Sequence, residues 1–404
     1  MPDPFAWSPA NTTLPAPSWL LATPRLTLTA HGGTPLPTAP GPGQFARLAR
    51  TAARHLARQS PGTIAAGLIP FDEDTPAHLC LTRPHRAPGR TAHPAPVHPD
   101  STRPFPGPAH AEPPPDVYLA HAAAARDATL TGPLTKVVLA RTLRVPVSAL
   151  PRATVPALLA RLAAQEPGAH LFAATLPAPH DTAAPYVLLG ATPETLLARR
   201  GRQLTLRPLA GTAPRHPDPA RDRDRARSLL ASAKDRHEHQ IVVDALRARL
   251  APLCTDLDVP RTPSPHATSR LWHLSTTIRA RLRPPPPDAL ALAALLHPTP
   301  AVCGTPTAAA RDLIRHLEPV PRGYYTGLVG WQDQSGDGHW VIALRCGLLT
   351  AAHLRLYAGA GIVPGSDPAA ELAETQAKFT TMLDALTGSA APAPPTARYR
   401  HQKL

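Results

Sequence analysis

The sequence predicts a mixed α/β (α+β) fold, with large, mainly antiparallel sheets and helices packed outside them. Two observations carry this. Strand-like runs such as "KVVLARTLRV" (136–145), "PYVLLG" (185–190), "HWVIALRCGLL" (339–349) and "LRLYAGAGIV" (354–363) are joined by turns more often than by helices. Helix-period segments fall at 153–165, 222–251, 287–296, 306–317 and 368–386, too irregularly for a β-α-β alternation.

Taken in chain order, residues 1–82 read as the N-terminal part of the same body. "RLTLTAHG" (25–32) is a short strand and "GQFARLARTAARHLARQ" (43–59) has apolar spacing near 3.6, hence a helix. Residues 83–116 are rich in proline, histidine and arginine, lack the apolar content for a core, and are expected to form a flexible surface loop. Strands and helices then run densely from 117 to 387. "ETLLARR" and "QLTLRPL" face each other across the turn "RGR", and "GYYTGLVGW" (323–331) reads as a further strand. In the last helix Asp367 is the expected N-cap, with Pro368 at the first helical position. Residues 388–404 read as a disordered tail, and no internal repeat is present.

A net charge of +14 first suggests a nucleic-acid partner, but the arginines are scattered and aromatic residues make up only 4%. No nucleic acid is expected. The four cysteines, Cys80, Cys254, Cys303 and Cys346, form no C-x-x-C pair, which points away from a disulfide framework or thiolate zinc site. The N-terminus lacks a basic region followed by an apolar core, and no run of about 18 apolar residues occurs. A cytoplasmic protein without a membrane partner is therefore expected. Only four of the 42 basic residues are lysine: Lys136, Lys234, Lys378 and Lys403. In an arginine-biased chain a retained lysine marks a place for a compact ammonium that can lose its proton; Lys403 lies in the tail.

The stretch "SAKDRHEHQIVVDAL" (232–246) invites a zinc reading for His237 and His239, yet on a helix these lie roughly 200° apart and cannot share a metal. Glu238 continues the apolar stripe of Ile241, Val242, Ala245 and Leu246, so it points inward; a first-turn glutamate favoured by the helix dipole is the plain alternative. Glu371, Glu374 and Lys378 share a face of the last helix, as an ordinary i, i+4 surface pair or as part of an inward carboxylate set suited to a hard cation such as Mg²⁺. Lys136 opens an apolar strand, and Arg345 sits within one, where an anion partner is expected. Glu194 follows a tight turn at a strand end, and Gly359-Ala360-Gly361 permits close backbone approach.

These stretches, taken in order with "RPLAGTAPR", "LWHLST" and "LLHPTPAVCGTP", resemble the chorismate-utilising enzymes, most closely the isochorismate synthases of siderophore pathways. The likeness is dense over 117–387, which it implies is the chorismate-binding catalytic region; "FAWSPA" and "LIPFDEDTPAHL" extend it weakly toward the N-terminus. It implies one body of two large antiparallel sheets, Mg²⁺ as cofactor, and addition of water at C2 of chorismate with loss of the C4 hydroxyl. By the same resemblance Lys136 is the general base and Glu194 the general acid. Glu238 and Glu374 hold Mg²⁺, with Glu371 as a further or water-mediated ligand and Lys378 supporting the cluster. Arg345, Tyr325 and the amides near Gly359 and Gly361 bind the enolpyruvyl carboxylate, while His273, Gly211 and Thr212 line the pocket. Ala210 stands where aminodeoxychorismate synthases carry a nucleophilic lysine, which argues against covalent addition. The resemblance further implies a monomer whose product passes to an isochorismatase or an isochorismate pyruvate lyase. Its nearest rivals are a salicylate synthase and an anthranilate synthase large component; outside enzymes, an inactive or nucleic-acid-binding relative.

Overall fold

The computed structural model describes residues 19–89, 105, 107–147, 154–177 and 186–388. Its helices among these are α1 (Gln44–Leu56), α2 (Pro115–Thr131), α3 (Thr154–Gln165), α4 (Pro219–Ala231), α5 (Ala233–Leu250), α6 (Ala289–Leu296), α7 (Thr307–Leu317) and α8 (Pro368–Thr387).

Two large sheets form the body, and every pairing between the strands given below is antiparallel. One is ten-stranded; at its centre run Lys136–Pro146, His353–Ile362, Cys346–Leu349, Tyr186–Thr192, His170–Leu176 and Trp19–Ala22, in that spatial order. The other is nine-stranded, with Gln203–Arg207, Thr195–Arg200, Gly338–Ile342, Leu328–Asp333 and Ile64–Ile69 adjacent in that order. A three-stranded sheet of Leu209–Pro214, Leu271–Ser275 and Ser264–Ala267 stands apart. The expected two-sheet body with flanking helices is what the chain builds.

The sheets face each other through one apolar layer, in which Trp19, Leu21, Phe172 and Leu188 meet Ile64, Leu68, Val329 and Val341. Alternating strand residues turn to the other face and bury a second layer beneath helices. Leu48 and Leu56 of α1 and Leu290 and Leu296 of α6 pack on the nine-stranded sheet, and Leu158 and Leu162 of α3 with Phe379 and Met382 of α8 pack on the ten-stranded one.

The structure corrects several expectations. The helix expected over 222–251 is two helices, because Ser232 adopts an extended conformation, ends α4, and caps α5 by accepting from Asp235 N–H at 3.2 Å. Helix α2 was not expected, since its buried stripe of Tyr118, Ala122, Ala125 and Thr129 is made mostly of small residues with a weak apolar signal. The 83–116 segment contains two short edge strands, His85–Pro88 and His110–Glu112, and the start of α2; its residues 90–104 and 106 lie outside those described. "FAWSPA" and the tail from 389 onward also lie outside them. The strand expected at 323–331 begins only at Leu328, after Thr326 at φ 60°, and the run 339–349 breaks into Gly338–Ile342 and Cys346–Leu349. Arg345 is thus not within a strand: it sits at the break, with φ 48°.

Candidate active site

A cavity opens between the ten-stranded sheet, the three-stranded sheet and helices α5 and α8. Glu194, Gly211, Thr212, Glu238, His273, Tyr325, Arg345, Gly359, Gly361, Glu374 and Lys378 all line it. Lys136 and Glu371 are not in that lining: Lys136 is ion-paired to Glu238 of the lining, and Glu371 to Lys234.

Local structure explains why these side chains converge. Lys136 begins the strand that pairs with His353–Ile362, in a register that sets Val137 against Ile362 and Val138 against Gly361. A Cβ on Gly361 would overlap the Glu238 carboxylate and come within 3.1 Å of Lys136 Cε, so only glycine lets those two groups meet. Lys136 is fully buried, and its Nζ lies 3.0 Å from Glu238 Oε1. Burial alone would raise the Glu238 pKa, but Lys136 and Lys234 hold it below its ordinary value. The carboxylate is therefore ionised at neutral pH. His237 is exposed while His239 is buried with its Nε2 2.7 Å from Thr276 Oγ1, so the two histidines do diverge around α5.

Glu194 reaches the cavity from the connection between strands Tyr186–Thr192 and Thr195–Arg200. It is 3% exposed, and Leu209 N–H donates to its Oε1 at 3.4 Å. Burial pushes its pKa up to about 7; that hydrogen bond and the charges of Lys136, Lys378 and Arg207 only partly oppose the shift. A carboxylic acid that keeps its proton near neutrality is suited to donate it.

Arg345 forms the third wall. The strand break turns its guanidinium into the cavity, where Nη2 donates to His273 Nε2 at 3.3 Å. The other ring nitrogen, Nδ1, lies 3.2 Å from both Gly211 O and Thr212 Oγ1. A carbonyl can only accept, so Nδ1 carries the hydrogen and Nε2 is free to accept from Arg345. Burial and the Arg345 charge push the His273 pKa well below its ordinary value, which keeps this neutral form. Tyr325 stacks on Tyr357 with ring centroids 5.0 Å apart. Both non-glycine residues with positive φ among those described, Thr326 and Arg345, line the cavity. Such strain concentrates where a side chain must be aimed rather than where folding is easiest.

On α8, Lys378 Nζ donates to Glu374 Oε1 at 2.6 Å and to Gly359 O at 2.7 Å. Glu371 is 1% exposed and takes an ion pair from Lys234 Nζ at 2.7 Å. Burial and neighbouring Glu374 push its pKa up to about 6, against the charge of Lys234. Among the described residues no group of three or more His, Cys, Asp or Glu side chains is placed to hold a metal ion. Each of the three carboxylates is held by a lysine. Two of them face the cavity, so the donor set is oxygen only and part open, which fits a hard divalent cation that retains water and takes further oxygens from a ligand.

Sequence reasoning missed Lys234 as a site residue, though its survival in an arginine-biased chain was the available signal. It also missed Val138, Leu209, Ala301, Val302 and Thr326, whose apolar or small character carries no local mark of function.

Residues 90–387 match the family model described as chorismate binding enzyme. The chain belongs to this family. Chorismate binding enzymes similar to it include the isochorismate synthase DhbC of Bacillus subtilis (strain 168), 42% identical over 91% of this chain and 93% of that protein. The vibriobactin-specific isochorismate synthase of Vibrio cholerae is 42% identical over 62% of each chain. Among solved structures, a putative 2,3-dihydroxybenzoate-specific isochorismate synthase, DhbC from Bacillus anthracis, superposes with a TM-score of 0.83 at 36% identity, covering 93% of this chain and 97% of that one. No helix among the described residues is long and apolar enough to cross a membrane.

Proposed function

We propose that this chorismate binding enzyme is an isochorismate synthase, adding water at C2 of chorismate while the C4 hydroxyl departs, and that it serves siderophore synthesis. The observation that carries the reading is the pairing of chemically opposite groups at one cavity: Glu194, a buried acid with a pKa near 7 in its lining, and Lys136, a buried lysine ion-paired to Glu238 of that lining. The similarity to DhbC and to the vibriobactin-specific enzyme supports both the reaction and the pathway class.

In this reading Lys136, as the neutral amine, takes the proton of the water that attacks C2, and Glu194 gives its proton to the hydroxyl leaving C4. Water is consumed at one carbon and released at the other, so the product is an isomer of the substrate. Arg345, fixed by His273, and Tyr325 hold the enolpyruvyl carboxylate, while Gly359 and Gly361 let the ligand approach the strand backbone. Lysine at 136 has a chemical reason, because a guanidinium stays protonated and cannot act as a base. Glu238 and Glu374 would hold Mg²⁺, with Glu371 behind them. When bound, the ion supplies a hard positive centre that neutralises the ring carboxylate of the substrate. Ala210 in the cavity wall offers no amine for covalent attachment at C2.

Incubation with chorismate, with and without Mg²⁺, followed by chromatography of the products tests the proposal. Isochorismate formed only with Mg²⁺, without pyruvate, supports it. Pyruvate released together with salicylate, or anthranilate formed from added ammonia, refutes it in favour of another activity.

A further inference from the structure

The lysines of this chain form a pattern that the proposed chemistry does not use in full. Among the described residues there are three, and each pairs with a different glutamate of one cluster: Lys136 with Glu238 at 3.0 Å, Lys234 with Glu371 at 2.7 Å and Lys378 with Glu374 at 2.6 Å. The pairs differ in access. The side chain of Lys136 is 0% exposed and that of Lys378 13%, whereas that of Lys234 is 28% exposed and its partner Glu371 only 2%. Lys234 therefore reaches in from solvent to a carboxylate that cannot itself leave. It stands in the first turn of α5, with its Cγ 3.9 Å from where a Cβ on Gly365 would sit, in the loop that leads into α8.

We infer that Lys234 is a displaceable counter-ion: it neutralises Glu371 while the site holds no cation and swings out to surrender that oxygen when a divalent cation enters. Burying Glu371 beside Glu374 without a positive charge is costly. A lysine is suited to the role because its ammonium is compact, strongly hydrated and carried on a flexible stem. An arginine would clamp the carboxylate with two parallel hydrogen bonds and resist displacement. That contrast accounts for a lysine being kept here by a chain that otherwise uses arginine. Lys136 and Lys378 have other duties in the site; Lys234 is not among the residues that line the cavity, and its ion pair is with Glu371.

The inference rests on the reading of Glu238, Glu371 and Glu374 as the cation-holding set, and a titration without substrate separates the two. Mn²⁺ is titrated into the metal-free protein without chorismate, and the free ion is followed by its electron paramagnetic resonance signal. Lys234→Gln is expected to bind Mn²⁺ about threefold to tenfold more tightly than the unaltered protein, the range that one partly exposed ion pair represents. Lys234→Arg is expected to bind it more weakly, and Glu371→Gln in the Lys234→Gln background to cancel the gain. Circular dichroism melts establish that each variant is folded. If Glu374→Gln leaves Mn²⁺ affinity unchanged, the cation-site reading itself fails. If Glu374→Gln weakens binding but Lys234→Gln does not tighten it, or Lys234→Arg binds as well as Lys234→Gln, the counter-ion inference is overturned while the cation site stands.

Discussion

Replacing Glu194 by glutamine removes one proton and almost no volume, so the consequences divide cleanly between chemistry and stability. Its folded pKa near 7 stands about 2.5 units above the ordinary 4.5, and each unit is worth roughly 1.4 kcal/mol. Because the folded state holds this proton more tightly than the unfolded chain, the stabilising contribution is complete below pH 4.5 and is lost as pH rises through 7. At pH 8.5 the buried carboxylate therefore costs about 3 kcal/mol relative to a neutral side chain. Glu194→Gln is expected to melt several degrees higher than the unaltered protein at pH 8.5 and at about the same temperature at pH 5. Turnover moves the opposite way, since loss of a general acid costs roughly 10²- to 10⁴-fold. In the unaltered enzyme kcat/KM should fall as pH rises through about 7, where the acid loses its proton, and this limb should vanish from the residual activity of the variant. Differential scanning calorimetry and product chromatography across pH 5–9 measure both. A Glu194→Gln variant within threefold of normal turnover, or one no more stable at high pH, would refute the buried-acid argument.

Other residues give further expectations. Lys136→Arg should lower turnover at least about 100-fold while chorismate still binds, as read by quenching of intrinsic fluorescence; near-normal turnover removes Lys136 from the role of base. Lys136→Met leaves Glu238 buried without its 3.0 Å partner and should destabilise the fold by about 3 kcal/mol or more in urea denaturation. Gly361→Ala forces the Glu238 carboxylate aside and should raise the Mg²⁺ concentration needed for half-maximal rate; an unchanged Mg²⁺ dependence contradicts the reading of Gly361 as the gap through which these groups meet. Chelation with EDTA should stop turnover, and excess Mg²⁺ should restore it.

Much of the site was legible because its residues break local patterns. Glu238 at the head of an apolar stripe, Glu371 and Glu374 on the inner side of α8, and lysine in a chain that prefers arginine each depart from what packing alone selects. Arg345 shows the limit of such reasoning. Its charge in an apolar run marked a residue that lines the cavity, but the run was read as one strand, since nothing local signals that residue 345 takes a positive φ and breaks it. The large strands and α8 were readable from period and capping, with Asp367 accepting from Ala369 and Ala370 N–H as expected. Elements stabilised mainly by tertiary contact were not. Helix α2 buries alanines rather than a strong apolar face, and the short strands Cys254–Asp258 and Ser264–Ala267 carry polar, half-exposed residues that pair only because neighbouring strands supply partners. The division of 222–251 turned on one serine whose side chain serves as a cap.

The exchange of oxygen at two carbons is the most direct test of the central claim. Chorismate turned over in H₂¹⁸O with Mg²⁺, with the product analysed by liquid chromatography and mass spectrometry, should yield isochorismate two mass units heavier and labelled at the C2 hydroxyl, with no pyruvate. Unlabelled isochorismate would contradict attack by a water that Lys136 activates. Release of pyruvate would contradict the isomerase assignment.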